Sequence, residues 1–542
     1  MSEDVASLAQ ELPDAELVFA FVSPLGTPSR EVQEALADAL HDHGYEIGVE
    51  VHISRLLDEM GDWATDERPG ERQERLMTAG NDLRRNNGGD YLALMSVAAI
   101  NASRSIDAGE SALPHKRRAY VVWSLKHPDE VVRLRHVYGK GFFLLGVSAP
   151  RKLRRETLIK GNFPLDRANQ LLDKDAAEEE KIGQQTRDTF ELADAYIRID
   201  DDDEMQVKVK AKVRRIVDLL FSCPFHPPTR EEHAMFMAYA AALRSSDLSR
   251  QVGAVVANRS GDVVASGAND APAAGGGTYW PSQIGFTDET GDSQGPDYLR
   301  GYDSNERERN SILVRVIAAL VPDEERLPDD AKPAARAALV KRYKDRLRGT
   351  GVLDLTEFGR AVHAEMAALM SCARSGVTPV GGTLYCTTFP CHNCAKHIVA
   401  AGICSVVYVE PYPKSKAMDL HSDSISLPDE DEGKSAESRV EFRAFEGVGP
   451  RRFVDLFSLS LGSGRPLRRK QKDADGARFV WEPGVGSAPR LPLDSSSYLE
   501  REDAATKIFR RKQGRHAKLP HEENFDGSSE KEAKDPDPQG SS

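Results

Sequence analysis

Two short runs constrain this chain more than anything else in it: His363-Ala364-Glu365 and, further on, Pro390-Cys391-His392-Asn393-Cys394. One imidazole and two thiols are a soft N and S donor set, which zinc takes in a tetrahedron. In catalytic zinc sites three protein ligands leave the fourth position to water. Glu365, two residues past His363, is a carboxylate placed beside such a water without being spent on the metal. A C-x-x-C at a helix start puts both sulfurs on one face. Pro390 favours that start, because its missing N–H would be unpaired there. The positive helix end helps keep the thiols ionised. We therefore expect His363, Cys391 and Cys394 as metal ligands, one Zn2+ per subunit, and Glu365 as the catalytic proton carrier. A structural zinc knot would need a fourth closing ligand, and His392, inside the C-x-x-C, is expected to point away from the metal.

A chain of 542 residues is long enough for two or more domains, each with its own core. The formal charge of −14 argues against a generally basic nucleic-acid binder. Of six cysteines, Cys372, Cys386, Cys391, Cys394 and Cys404 fall in one stretch. That clustering suits a reducing compartment and a metal site, not a disulfide scaffold. Cys223, Cys372, Cys386 and Cys404 read as buried small apolar residues. The first residues, MSEDVASLAQELPDAE, are acidic with no apolar stretch, and no apolar run reaches membrane-spanning length. A cytoplasmic protein without a membrane partner is expected.

The chain falls into three parts. Residues 1–222 alternate strands and helices, as in an open parallel sheet. Strands are expected at ELVFAFVS, YEIGVEVHIS, YLALMSVAAI, RRAYVVWSL, GKGFFLLGV and ADAYIRI. A proline-rich hinge, SCPFHPPTREEH, follows. Residues 223–463 open with an apolar helix and a hairpin turning at Asn258–Asp262. An insertion at about 271–360 interrupts this part before the two site helices. RVEFRAFEGVGPRRFVDLFSLSL adds a strand and a short helix to the same domain. Residues 464–542 are charged and read as a largely disordered tail.

The first strand-turn-helix sits where a phosphate loop would be, but Ser23-Pro24-Leu25-Gly26-Thr27-Pro28-Ser29-Arg30 lacks the lysine of that motif. Two readings stay open. One is a structural turn. The other is a retained nucleotide or anion site at Gly26, Thr27 and Ser29, using free amides of the helix N-terminus. The loop argues against an active kinase, since phosphoryl transfer needs charge stabilisation that it lacks.

With H-x-E and P-C-x-x-C in this order, residues 233–460 resemble the cytidine deaminase superfamily, and within it the deoxycytidylate deaminases. A degenerate kinase-like first domain, the long insertion, TEFGRAVHAEMAAL and VEPYPKS together resemble the bacterial anti-phage dCTP deaminases. The resemblance implies a P-loop-like parallel-sheet domain followed by a deaminase-fold α/β/α domain. It implies deamination of dCTP and of dCMP, which drains the deoxycytidine pool during infection. It also implies a small inhibitory RNA as partner, and a homo-oligomer. Gly267-Ala268-Asn269 matches the family's sugar-holding motif, which makes Asn269 a candidate substrate contact; a turn former is the alternative. Arg250, Lys414 and Lys416 are candidate phosphate contacts, against solvated surface cations. A base editor of single-stranded nucleic acid or tRNA would carry a basic, aromatic-lined groove. A nucleotide- or RNA-sensing module with a silent site would have no reason to keep stoichiometric zinc.

Overall fold

The computed structural model describes residues 14–60, 70–108, 114–177, 184–283, 295–321, 333–347, 358–410, 415–427, 439–460, 466–471, 476–484, 487–491 and 495–513. It is an α/β protein built on two six-stranded sheets.

The first sheet holds β1 (Leu17–Val22), β2 (Glu46–His52), β3 (Arg118–Trp123), β4 (Phe142–Ser148) and β5 (Ala195–Arg198). These five run parallel in the order β5-β4-β1-β3-β2. β1 and β4 are buried along their whole length, as continuous apolar runs in a two-faced parallel sheet must be. One face packs on the helix Arg30–Asp42, through Val32, Leu36 and Leu40, and on Met205–Leu220. The other packs on Tyr91–Ala108. That segment was expected as a strand and is a helix. Its run YLALMSVAAI is apolar all round, and periodicity cannot tell a buried helix from a buried strand in so short a stretch.

The second sheet holds β6 (Gly253–Ala257), β7 (Val263–Ala268), β8 (Thr383–Cys386), β9 (Ser405–Tyr408), β10 (Ile425–Ser426) and β11 (Val440–Ala444). Its order is β10-β11-β9-β8-β6-β7, with the β6–β7 hairpin antiparallel and β8, β9, β11 and β10 parallel. One face carries both site helices, Ala364–Ser375 and His392–Ala400. The helix Arg230–Ala242 covers the other, and its Ala234, Met235 and Ala238 belong to the same apolar cluster as Val18, Leu94 and Tyr196 of the first half. The Tyr196 ring lies 5.3 Å from that of Phe190 and 5.5 Å from that of Phe445, so one core runs through both halves.

The chain's later segments cross back instead of staying with the second sheet. β12 (Gly447–Val448) pairs antiparallel with β5, and Val448 and Leu456 sit in the first sheet's core. Glu232, 0% exposed, holds this crossing. It completes a capping box with Thr229, accepts the Val448 amide at 2.8 Å and pairs with Arg215. The expected tail also departs from disorder. Ser495–Gln513 is a helix packed on Tyr91–Ala108 through Tyr498, Ala505 and Phe509. Its apolar positions were hidden by the charge around them. The last stretch, HEENFDGSSEKEAKDPDPQGSS, lies outside the described residues.

The insertion has its own small core, with Leu313 and Ile317 of Ser304–Leu320, and Val321 just after it, meeting Leu339, Val340 and Tyr343 of Pro333–Arg346. No described helix is long and apolar enough to cross a membrane.

Candidate active site

The metal ligands sit at two helix beginnings that the sheet brings together. His363 is the N-cap of Ala364–Ser375 and Cys391, rather than Pro390, opens His392–Ala400; both have extended backbone. His363 Nδ1 stands 3.4 Å from Cys391 Sγ and 3.3 Å from Cys394 Sγ. Two donors bonded at about 2.0 and 2.3 Å to one tetrahedral ion stand about 3.5 Å apart. The spacing and the donor chemistry therefore fit zinc. Among the described residues this is the one group of three or more such side chains able to share a metal.

Close packing sets the approach of the first site helix. A Cβ on Gly267 would stand 2.3 Å from the Ala364 carbonyl oxygen and 2.4 Å from the Ala368 nitrogen. The glycine thus lets the helix lie directly on β7. Just before that helix, Val362 bridges to Asp270, its amide donating to the Asp270 carbonyl at 2.9 Å. The Asp270 carboxylate in turn accepts from the Ser246 amide and hydroxyl. His363 and Asn269 are so fixed next to each other on paired backbone. Asp270 is a supporting residue that the motif did not reveal.

Charge follows this geometry. The Cys391 thiol is pushed down to about 3, first by its hydrogen bond with Cys394 and, against burial, by that with His363. The hydrogen bond to Cys391 also raises His363. Glu365 is 3% exposed, and burial pushes its carboxyl above the usual range. A carboxyl held above its usual range gives up its proton less readily, which suits a group that must take and return one.

The site opens into a cavity of about 240 Å³. His363, Glu365 and Cys391 form its floor, with Val252, Thr388 and Phe389 beside them. Arg250 and Asn269 line it as well. The Asn269 amide is already engaged, accepting the Val252 N–H at 2.6 Å and donating to the Arg250 carbonyl at 2.8 Å. It shapes the loop that carries Arg250. The insertion supplies the remaining wall, with Asp297, Asp303, Asn305 and Arg360. Lys416 is exposed before the helix Ala417–His421 and is not part of the cavity lining; Lys414 lies outside the described residues. Cys223, Cys372 and Cys386 are buried as expected, but Cys404 is exposed, its Sγ donating to the Gly381 and Gly382 carbonyls.

In the loop of Gly26, Thr27 and Ser29, several backbone groups are engaged within the protein. The Leu25 amide donates to the Asp175 carboxylate at 2.9 Å, and the Thr27 and Ser29 amides bond within the loop. Gly26, at φ +79, is backed by the Arg154 carbonyl, 2.6 Å from where a Cβ would be. The Asp175 carboxylate thus occupies one of the loop's amides, that of Leu25.

Comparison with known proteins places this geometry. Residues 228–410 match the model of the cytidine and deoxycytidylate deaminase zinc-binding region. The chain is 45% identical over 53 residues to ComE operon protein 2 of Bacillus subtilis (strain 168), which covers 10% of this chain and 28% of that protein. It is 46% identical over 55 residues to the deoxycytidylate deaminase of Enterobacteria phage T4, again 10% and 28%. The matches thus span less than a third of these relatives' length. Among solved structures, apo dCMP deaminase of cyanophage S-TIM5 aligns at 18% identity over 40% of this chain and 100% of its own, with a TM-score of 0.20. A gluconokinase from Sinorhizobium meliloti 1021 aligns at 15% identity over 39% and 98%, with a TM-score of 0.22. At those scores the superpositions add nothing to the assignment. The converging imidazole and thiols, the buried carboxylate and the matched segment make residues 228–410 a zinc-binding region of the cytidine and deoxycytidylate deaminase kind.

Proposed function

We propose that the protein hydrolytically deaminates free deoxycytidine nucleotides, dCTP to dUTP and dCMP to dUMP, and that its role is to deplete dCTP during phage infection. The observation that carries this reading is the buried Glu365 carboxyl, close in sequence to His363, together with three converging ligand atoms, two of which, on His363 and Cys391, line the same cavity as Glu365. The acidic chain offers no general attraction for nucleic acid, which favours a small nucleotide over a polymer.

His363, Cys391 and Cys394 would hold zinc, which supplies a water acidic enough to be used near neutral pH. Glu365 would take one proton from the attacking water and deliver it to N3 of the cytosine ring as the hydroxyl adds at C4. Glu365 would then take the remaining proton from that hydroxyl and give it to the amine, which leaves as ammonia while C4–O becomes a carbonyl. Phe389 and Val252 provide an apolar wall beside the floor, which keeps bulk water from competing for the Glu365 proton. A homo-oligomer and a small inhibitory RNA remain part of this reading as partners. The test is direct. Purified protein is mixed with each cytosine nucleotide, and ammonia and the uracil product are measured. Release from dCTP and dCMP is expected; release from none of the nucleotides refutes the proposal.

A further inference from the structure

The insertion does more than lengthen the chain, because it puts a cation into the wall of the catalytic cavity. Arg360 lies three residues before His363 and lines that cavity. Its Nη1 donates to the Asp297 carboxylate at 2.8 Å and to the Gly295 carbonyl at 2.9 Å. Both bonds leave from one nitrogen, so Nε and Nη2 have no partner among the described residues. Asp297 is itself fixed by the Ser304 amide at 2.9 Å. These bonds, with that from the arginine, hold its carboxyl below the usual range against the opposing effect of burial. The Arg360 side chain is about a quarter exposed, at 26%, and is held in place by the insertion's own backbone.

Arg250 is the second guanidinium of the cavity. It makes no side-chain ion pair or hydrogen bond with another described residue. Its backbone is held instead, with its carbonyl accepting from Asn269 and its amide bonding to Asp247. The carboxylates of this wall each accept from donors other than Arg250's side chain. Asp247 is used by the Ser249 amide and hydroxyl, Asp303 caps Ser304–Leu320, and Asp297 holds Arg360. Two guanidiniums with unspent donors, among carboxylates that are occupied, make a site for an anion with several oxygens. Guanidinium recognises phosphate through paired, charge-assisted bonds.

We infer that Arg360 and Arg250 form the phosphate subsite of the catalytic cavity, and that the insertion determines nucleotide specificity by presenting Arg360 through Asp297. This rests on the reading of the cavity as a deoxycytidine nucleotide site. Arg360 is a specificity residue and takes no part in the proton transfers. Asp297 is a positioning residue.

The test measures steady-state kinetics on dCTP and zinc content for Arg360→Ala, Arg360→Lys, Arg250→Ala and Asp297→Asn, together with competition by inorganic triphosphate. Removing one charge-assisted phosphate contact is expected to raise KM for dCTP by about tenfold or more. The kcat should stay within about twofold of native, with zinc retained. Arg360→Lys should recover part of the loss, and Asp297→Asn should fall between native and Arg360→Ala. Inorganic triphosphate should inhibit the native protein competitively and Arg360→Ala about tenfold more weakly. Unchanged KM in both Arg360→Ala and Arg250→Ala overturns the subsite, as does a fall in kcat with KM constant. Should the native protein deaminate nothing, the proposed activity fails separately. The subsite is then judged by equilibrium dialysis with dUTP, where equal binding by native protein and Arg360→Ala refutes it.

Discussion

Gly267 and Ala364 are in contact through backbone alone: a Cβ on the glycine would lie 2.3 Å from the alanine's carbonyl oxygen. Neither partner can swing aside, because the obstacle is main chain. The position of His363, one residue before Ala364, is therefore set by what β7 lacks. Gly267→Ala should push the site helix off the sheet, costing about 1–3 kcal/mol from overpacking and displacing the imidazole from the two sulfurs. A lower Tm and a lower zinc content are expected. Gly484→Ala, with open space around it, should change neither. Equal zinc content in native protein and Gly267→Ala would show that the close approach is unimportant for the site.

Glu365→Ala should keep its zinc and lose turnover by several orders of magnitude, because the other carboxylates of the cavity lining, Asp247, Asp297 and Asp303, are engaged by donors of their own. Metal analysis and product assay on the same sample check this. Deamination at the native rate would remove Glu365 from its assigned role.

Cys391→Ala should lose metal and stability together, since zinc binding is coupled to folding of the ligand set. Zinc content near zero and a depressed Tm are expected. A metal-replete variant with native Tm contradicts the ligand assignment.

Away from the site, Arg104 lies at 0% exposure between Glu16 and Glu502, with Tyr120 donating to Glu16. It joins the first strand's entry to the C-terminal helix. Arg104→Ala would leave two buried carboxylates without their cation, a loss of about 3–5 kcal/mol. The C-terminal helix should then detach. Limited proteolysis is expected to cleave within 495–513 in this variant and not in the native protein; identical patterns would show that the helix is held by its apolar contacts alone.

Stability should also decline on the alkaline side. The hydrogen bond to Asp218, then that to Cys223, raises His226 from 6.5 to about 9. Burial pushes Asp218 up, but its hydrogen bonds with His226 and His43 outweigh this and bring it to about 2. A raised histidine contributes fully below its ordinary 6.5, and that contribution is lost as pH climbs through about 9. The aspartate's contribution is present above its ordinary 3.8 and lost as pH falls toward about 2. His43, facing Asp218 and bonded to Ser487, and Cys223, bonded to His226, are the other titratable neighbours. Because His226 is partly exposed, the effect is small, about 2 °C in Tm between pH 6.5 and 9. His226→Gln should lose that part of the slope. An unchanged slope would remove the pair as its cause.

How much of this was legible beforehand depended on whether the signal was local. The hairpin at Asn258–Asp262 closes as its turn residues suggest, the Asn258 amide bonding to the Asp262 carbonyl at 2.9 Å. The four site residues declared themselves because their spacing encodes chemistry, and the structure brings them to one place. YLALMSVAAI misled because the contacts that distinguish a buried helix from a buried strand lie elsewhere in the chain. Asp175 was invisible as the loop's internal anion, being 150 residues from Leu25. The same holds for Asp270 and Asp297, carboxylates whose roles exist only through the backbone they meet.

By itself, then, the order of residues determined which donors can bind a metal, which carboxylate can move a proton, and that strands alternate with helices through the first half. Those are properties of side chains and of short-range periodicity. Tertiary structure decided the rest: that β12 and the terminal helix return to the first sheet, that Asp175 fills the loop after β1, and that the insertion brings Arg360 to the cavity. Each of these depends on a contact between residues far apart in the chain, and such a contact is a property of the packed core and its satisfied hydrogen bonds, not of any stretch read alone.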